Sequence, residues 1–128
     1  MKTLLIIGGF HSLFFAIFHC LFWDKLHWKT QLAKLDNTNN AVMQILNLRI
    51  IFVFGFHAFL CFYFPNELLT SGLGKAVLLG SSLFWIGRTV EQFWFRKLEP
   101  TTDPISIFLT VLFVMGSVLY LIPLYNGF

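Results

Sequence analysis

Arg88, Glu91 and Gln92 lie in S-S-L-F-W-I-G-R-T-V-E-Q, residues 81–92, a stretch otherwise apolar enough to sit in a membrane. A charge at the centre of a hydrocarbon-embedded helix costs roughly 2.5 to 3.5 kcal/mol on insertion scales, so nearby groups must compensate it. Ser81, Trp85, Arg88 and Gln92 follow i, i+4, i+7, i+11 spacing and share one helix face, with Glu91 one turn from Arg88. The chemistry open to such a set is anion binding by arginine and proton carriage by glutamate, because ionisable groups inside membranes mark sites and pathways. The alternative is polar glue that fixes how greasy helices pack.

Counting residues inward from the helix ends brings further groups to the same depth. His19, Asn47, Arg49, Arg88 and Glu91 each fall about four to eight residues from one membrane face at 1.5 Å rise per residue, and Gln92 and Thr110 can join them. Arg and Glu can neutralise each other, with His19, Asn47 and Gln92 filling their remaining hydrogen-bond capacity. Arg49 and Arg88 against Glu91 leave a positive charge that packing alone does not require, which favours an anionic ligand or lipid headgroup.

His11 and His57 form a second layer, each about seven residues or roughly 10 Å from the opposite face by helix rise. Neutral imidazoles on facing helices can ligate haem axially or hold a metal, so these two are the candidate haem or metal ligands. The signal is weak, because no H-x-x-H, H-x-x-x-H or obvious third ligand accompanies them. His27, among lysines and tryptophan, reads as solvated at the interface. No G-x-S-x-G, Walker loop, zinc-protease motif or dinucleotide fingerprint is present, which argues against hydrolase and nucleotide enzymes.

These groups need helices to hold them. Hydrophobic residues make up 57% and charged residues 12% of the chain, far from the roughly 25% charge of a soluble domain, so the bilayer is the expected solvent. Four membrane helices are expected over about 4–23, 42–64, 74–95 and 105–125, in a single domain spanning 1–128. The fold class is an all-α four-helix transmembrane bundle. Asp24 to Asn40 reads as a short amphipathic interfacial segment followed by turn and N-cap residues, Asn66 to Leu73 as a compact loop, and Arg96 to Pro104 as a polar turn. The opening M-K-T-L-L-I-I-G-G-F lacks a small-x-small cleavage site after its apolar run and reads as a retained first helix.

The first and third loops hold Lys25, Lys29, Lys34, Arg96 and Lys97, against Lys2 and Lys75 on the other side. By the positive-inside rule those loops face the cytoplasm and both termini lie outside, in a bacterial inner membrane. The basic residues form no run, which argues against nucleic acid despite the net charge of +3. Cys20 and Cys61 are expected near opposite faces, ~20 Å apart by helix rise, too far for a disulfide.

The run E-L-L-T-S-G-L-G-K-A-V-L-L-G-S-S-L-F-W-I-G-R-T-V-E-Q-F-W-F, with the opening H-S-L-F-F-A-I-F-H-C-L-F-W, resembles a group of short uncharacterised four-helix bacterial membrane proteins. The resemblance implies an inner-membrane location and carries no activity or site residues. The function expected is a small binding module or subunit whose intramembrane pocket takes a lipid headgroup, quinone or cofactor, with proton coupling through Glu91. Behind it stand a non-catalytic accessory subunit of a larger membrane complex or homo-oligomer, and then a haem or metal redox protein.

Overall fold

This computed structural model describes residues 1–96 and 104–126, with Arg96 described by its backbone alone. The chain is helical throughout, with no strand among the described residues: α1 (Lys2–Cys20), α2 (Phe22–Lys25), α3 (Trp28–Gln31), a 3-10 turn (Leu32–Lys34), α4 (Asn37–Tyr63), α5 (Pro65–Thr70), α6 (Gly72–Arg96) and α7 (Pro104–Tyr125). Three of these helices, α1, α4 and α7, are long and apolar enough to cross a membrane. At 25 residues α6 has the length, but Lys75, Arg88 and Glu91 set it apart from those three.

Local chemistry sets the helix ends. α4 begins at Asn37, five residues before the expected start, because the Asp36 carboxylate caps it: Oδ1 accepts from the backbone N–H groups of Thr38 at 2.9 Å and Asn39 at 3.0 Å. Those bonds, with a further one from the Asn39 side chain, hold the Asp36 carboxyl below its ordinary range. At the other end, the expected loop over 66–73 is mostly the helix α5, since Pro65 occupies a first-turn position where its fixed φ helps and its missing N–H costs nothing.

Between α1 and α4 the sequence points to one amphipathic helix, and the structure breaks it in two. His27 adopts a left-handed φ of 50°, which separates α2 from α3. Trp28 and Leu32 then turn inward and are buried, Trp28 against Phe22 and Trp23. The Asn40 side chain donates to the Leu32 carbonyl at 2.9 Å and pins this segment to the start of α4. The polar turn expected over 96–104 lies, apart from its two end positions, outside the described residues.

α1 packs against α4 and α7, and α6 against α7 and α5. One aromatic ring from each long helix meets at the centre. Phe15 of α1 lies 5.7 Å from Phe54 of α4, 4.8 Å from Trp85 of α6 and 5.7 Å from Phe113 of α7, centroid to centroid. Such pairs add roughly 0.5 to 1.5 kcal/mol each beyond the area they bury. Gly116 is the notch that admits the cluster: a Cβ there would lie 2.7 Å from the Trp85 ring and 2.8 Å from His11. Outward faces are rich in Phe10, Phe52, Phe56, Phe93 and Phe95, all exposed, as suits a surface solvated by lipid tails. Cys20 is exposed and Cys61 buried, both as free thiols.

Candidate functional site

Two polar layers flank the four-ring cluster. In the first, Tyr120 Oη donates to the Gly8 carbonyl at 2.6 Å and lies 2.9 Å from Ser12 Oγ. Ser12 Oγ lies 3.0 Å from His57 Nδ1, and His57 Nε2 lies 2.9 Å from Ser81 Oγ, which reaches the Val77 carbonyl at 2.8 Å. The chain Gly8–Tyr120–Ser12–His57–Ser81–Val77 thus joins α1, α7, α4 and α6 in one line.

Proton counting constrains this line. Neutral His57 brings one proton and each of the three hydroxyls one, which makes four protons for five links. One link stays unmade whenever the imidazole is neutral. With the proton on Nδ1, the order is His57 to Ser12, Ser12 to Tyr120, Tyr120 to Gly8 and Ser81 to His57 Nε2. The link given up is then Ser81 to the Val77 carbonyl, an i−4 acceptor already engaged in the α6 helical ladder. With the proton on Nε2, His57 donates to Ser81, Ser81 keeps its bond to the Val77 carbonyl, and the link given up is one of the two at Ser12.

His11 stands beside this line without joining it. Its Nε2–H donates to the Leu112 carbonyl at 2.9 Å, and its ring packs edge-on against Trp85 and Phe15. Nδ1 is buried with no hydrogen-bond partner. His57 has both nitrogens occupied by serines, and no group of three His, Cys, Asp or Glu occurs among the described residues. The pair therefore does not fit axial haem ligation or a metal site, because His57 offers no open nitrogen without breaking the line.

The second layer contains the groups expected to form a pocket, and the structure divides them. His19 Nδ1–H donates to Asn47 Oδ1 at 2.9 Å while Asn47 Nδ2 returns a bond to the His19 carbonyl at 3.0 Å, a reciprocal clamp between α1 and α4. Arg88 donates to Gln92 Oε1 at 3.2 Å, and Gln92 passes on to Ser106 Oγ of α7 at 3.0 Å. The Arg88 guanidinium lies 4.5 Å over the Phe113 ring. Glu91 is 3.9 Å from Arg88 Nη1, with its side chain 60% exposed, so the pair is loose and outward. Arg49 is also exposed on the outer face of α4.

His19 and Arg88 nevertheless converge. Both line a cavity of ≈ 200 Å³ whose other walls include Phe15, Phe54, Trp85 and Phe113. Asn47 sits behind His19 and lines a neighbouring cleft with Trp23 and Trp28. Gln92 holds Arg88 in place from the α7 side. A separate groove of ≈ 260 Å³ opens between α4 and α6, lined by His57, Ser12 and Ser81 among apolar groups.

Ser12 and Tyr120 escaped sequence reasoning as site residues. Other hydroxyls occur on the same helices, at Thr3, Ser106, Thr110 and Ser117, so nothing in the sequence singled these two out beyond the rule that a buried hydroxyl requires a partner. No family model, curated protein or solved structure matches this chain.

Proposed function

We propose that the chain is a four-helix integral membrane protein, with α6 as its fourth span, that binds the anionic head of an amphipathic ligand between Arg88 and His19. The observation that carries this reading is the convergence of those two side chains on one aromatic-walled cavity while Glu91, the carboxylate paired with Arg88 among the described residues, is exposed. Arg88 keeps guanidinium donors beyond the single bond to Gln92, and in low dielectric a bidentate contact to a phosphate or carboxylate is strong. His19, with Nδ1–H committed to Asn47, presents Nε2 as an acceptor and suits an oxygen that carries a proton. The ring walls would hold the first part of an acyl or isoprenoid chain. A lipid headgroup fits this chemistry better than an uncharged quinone.

The membrane-spanning role of α6 is consistent with Gln92 turning onto α7 and Arg88 onto the cavity. We place the first and third loops in the cytoplasm of a bacterial inner membrane and both termini outside. Labelling single cysteines introduced at Thr38 and Thr70 checks this arrangement, and labelling of Thr70 alone from the cytoplasm overturns it.

For ligand binding, the protein is released from nanodiscs of mixed lipid and the retained molecules are weighed by native mass spectrometry. Arg88→Met should lose anionic species and Glu91→Gln should keep them. Identical retention by Arg88→Met and the wild type sinks the proposal. A second reading, an accessory subunit in a larger membrane complex or a self-associating protein, draws on the outward stack of Phe52 and Phe56, whose rings are 6.2 Å apart and nearly parallel. Oligomeric state or co-purifying protein, with ligand content unaffected by Arg88→Met, would favour it.

A further inference from the structure

α1, α4, α6 and α7 touch around a ring that stays open on one side. α4 meets α1, α1 meets α7 and α7 meets α6 over long stretches, whereas α4 and α6 are joined more sparsely, by the His57–Ser81 bond and the Phe54 contacts with Phe84 and Trp85. Their separation leaves the ≈ 260 Å³ groove, whose floor carries His57, Ser12 and Ser81 and whose sides are Phe54 and Trp85. Gly80 forms part of the rim and leaves it wide, since a Cβ at that position would meet nothing within 4 Å.

The polar floor has a definite hydrogen-bonding sense. All four of its protons are directed at acceptors inside the line, and Ser81 Oγ either donates to His57 Nε2 or accepts from it while donating to the Val77 carbonyl. Either way Ser81 Oγ keeps a lone pair at the groove and offers no free donor. An incoming carbonyl, ether or ester oxygen finds nothing to bond. An incoming O–H finds the spare lone pair of Ser81 Oγ.

We propose that the α4–α6 groove is a second binding site, distinct from the Arg88 cavity, that takes an uncharged, membrane-dissolved amphiphile through a terminal hydroxyl donated to Ser81 Oγ. The hydroxyl is that of a long-chain alcohol or of a phenol such as a quinol. The corresponding ketone, ether or quinone is rejected, because a buried acceptor brought against acceptors leaves both unsatisfied. Among the described residues no charged group lines the groove, which sets this ligand apart from the anionic one. The open side lets the chain of the ligand run out into the lipid, so the groove need only accept its head.

The probes are a C16 alcohol, its methyl ether, the matching methyl ketone and a phenol bearing the same chain, each added to protein in nanodiscs of zwitterionic lipid. Binding is read by native mass spectrometry and by the side-chain 15N shifts of His57. The alcohol or the phenol should bind about tenfold tighter than the ether and ketone, the worth of one buried hydrogen bond. Whichever of the two leads identifies the source class. Ser81→Ala should bring all four probes to within about twofold of one another. Gly80→Leu, which fills open space and leaves the packed helices untouched, should abolish binding of every probe while thermal stability holds. Arg88→Met should leave alcohol binding unchanged, so this proposal and the anion site fail independently. Equal binding of alcohol and ether, a preference for the ketone, selectivity that survives Ser81→Ala, undiminished binding to Gly80→Leu, or no binding of any probe would each overturn it.

Discussion

Tyr120 Oη lies 2.6 Å from the Gly8 carbonyl oxygen, and a Cβ placed on Gly8 would lie 2.8 Å from the ring of that same tyrosine. One absent methyl group thus admits the ring and aligns its hydroxyl on the backbone. Gly8→Ala should force Tyr120 away, break the bond and destabilise the protein by about 1 to 3 kcal/mol, the usual cost of overpacking. Gly55→Ala, where a Cβ meets nothing within 4 Å, is the control and should be neutral or mildly stabilising through helix propensity. Unfolding in mixed micelles of increasing SDS content compares the two.

Tyr120→Phe makes a sharper test of the proton count. Without the phenol, Ser12, His57 and Ser81 hold three protons for three links, and all three are made when the imidazole proton sits on Nε2. The variant should therefore hold His57 as the Nε2–H tautomer, at a stability cost of about 1 kcal/mol. The 15N shifts of the His57 ring should mark Nε2 as the protonated nitrogen. An Nδ1–H imidazole in the variant refutes the count.

The reciprocal bonds between His19 and Asn47 tie α1 to α4 and fix the imidazole at the edge of the Arg88 cavity. Asn47→Leu should destabilise by about 1 kcal/mol, in line with interhelical hydrogen bonds measured in membrane proteins. It should also weaken retention of anionic lipid although Asn47 does not line that cavity, since the freed imidazole loses its orientation. Loss of stability with undiminished retention would show that His19 needs no positioning.

Asp36 sits outside the spans and titrates in reach of experiment. Its carboxylate is stabilised by hydrogen bonds from Asn39 and Thr38, which hold its pKa below the ordinary value of 3.8. A depressed folded-state pKa means the cap contributes fully above the ordinary carboxylate range and is lost as pH falls through the lowered value. The amide resonances of Thr38 and Asn39 should titrate with a midpoint below 3.8, and Asp36→Ala should fray the first turn of α4 at neutral pH. A midpoint above 3.8 contradicts the capping account.

Composition and hydropathy alone pointed to helices long and apolar enough to cross a membrane, since an apolar segment in lipid must satisfy its backbone internally and a helix does so. Helix rise per residue is constant, and His19 and Arg88, which the count set at one depth, line one cavity. Angle around the helix was not legible. Asn47 and Arg49 are about 200° apart on a 3.6-residue repeat, so turning Asn47 onto α1 sends Arg49 outward, and which of them faces inward depends on the neighbouring helix. Glu91 likewise lies off the face that carries Arg88 and Gln92. The line through Gly8, Tyr120, Ser12, His57 and Ser81 spans 112 residues of sequence, and only helix packing brings its members within 3.0 Å of one another. Hydrophobicity and helical rise are properties of the chain one segment at a time, whereas a buried hydroxyl or imidazole is satisfied by whichever groups the tertiary fold sets against it.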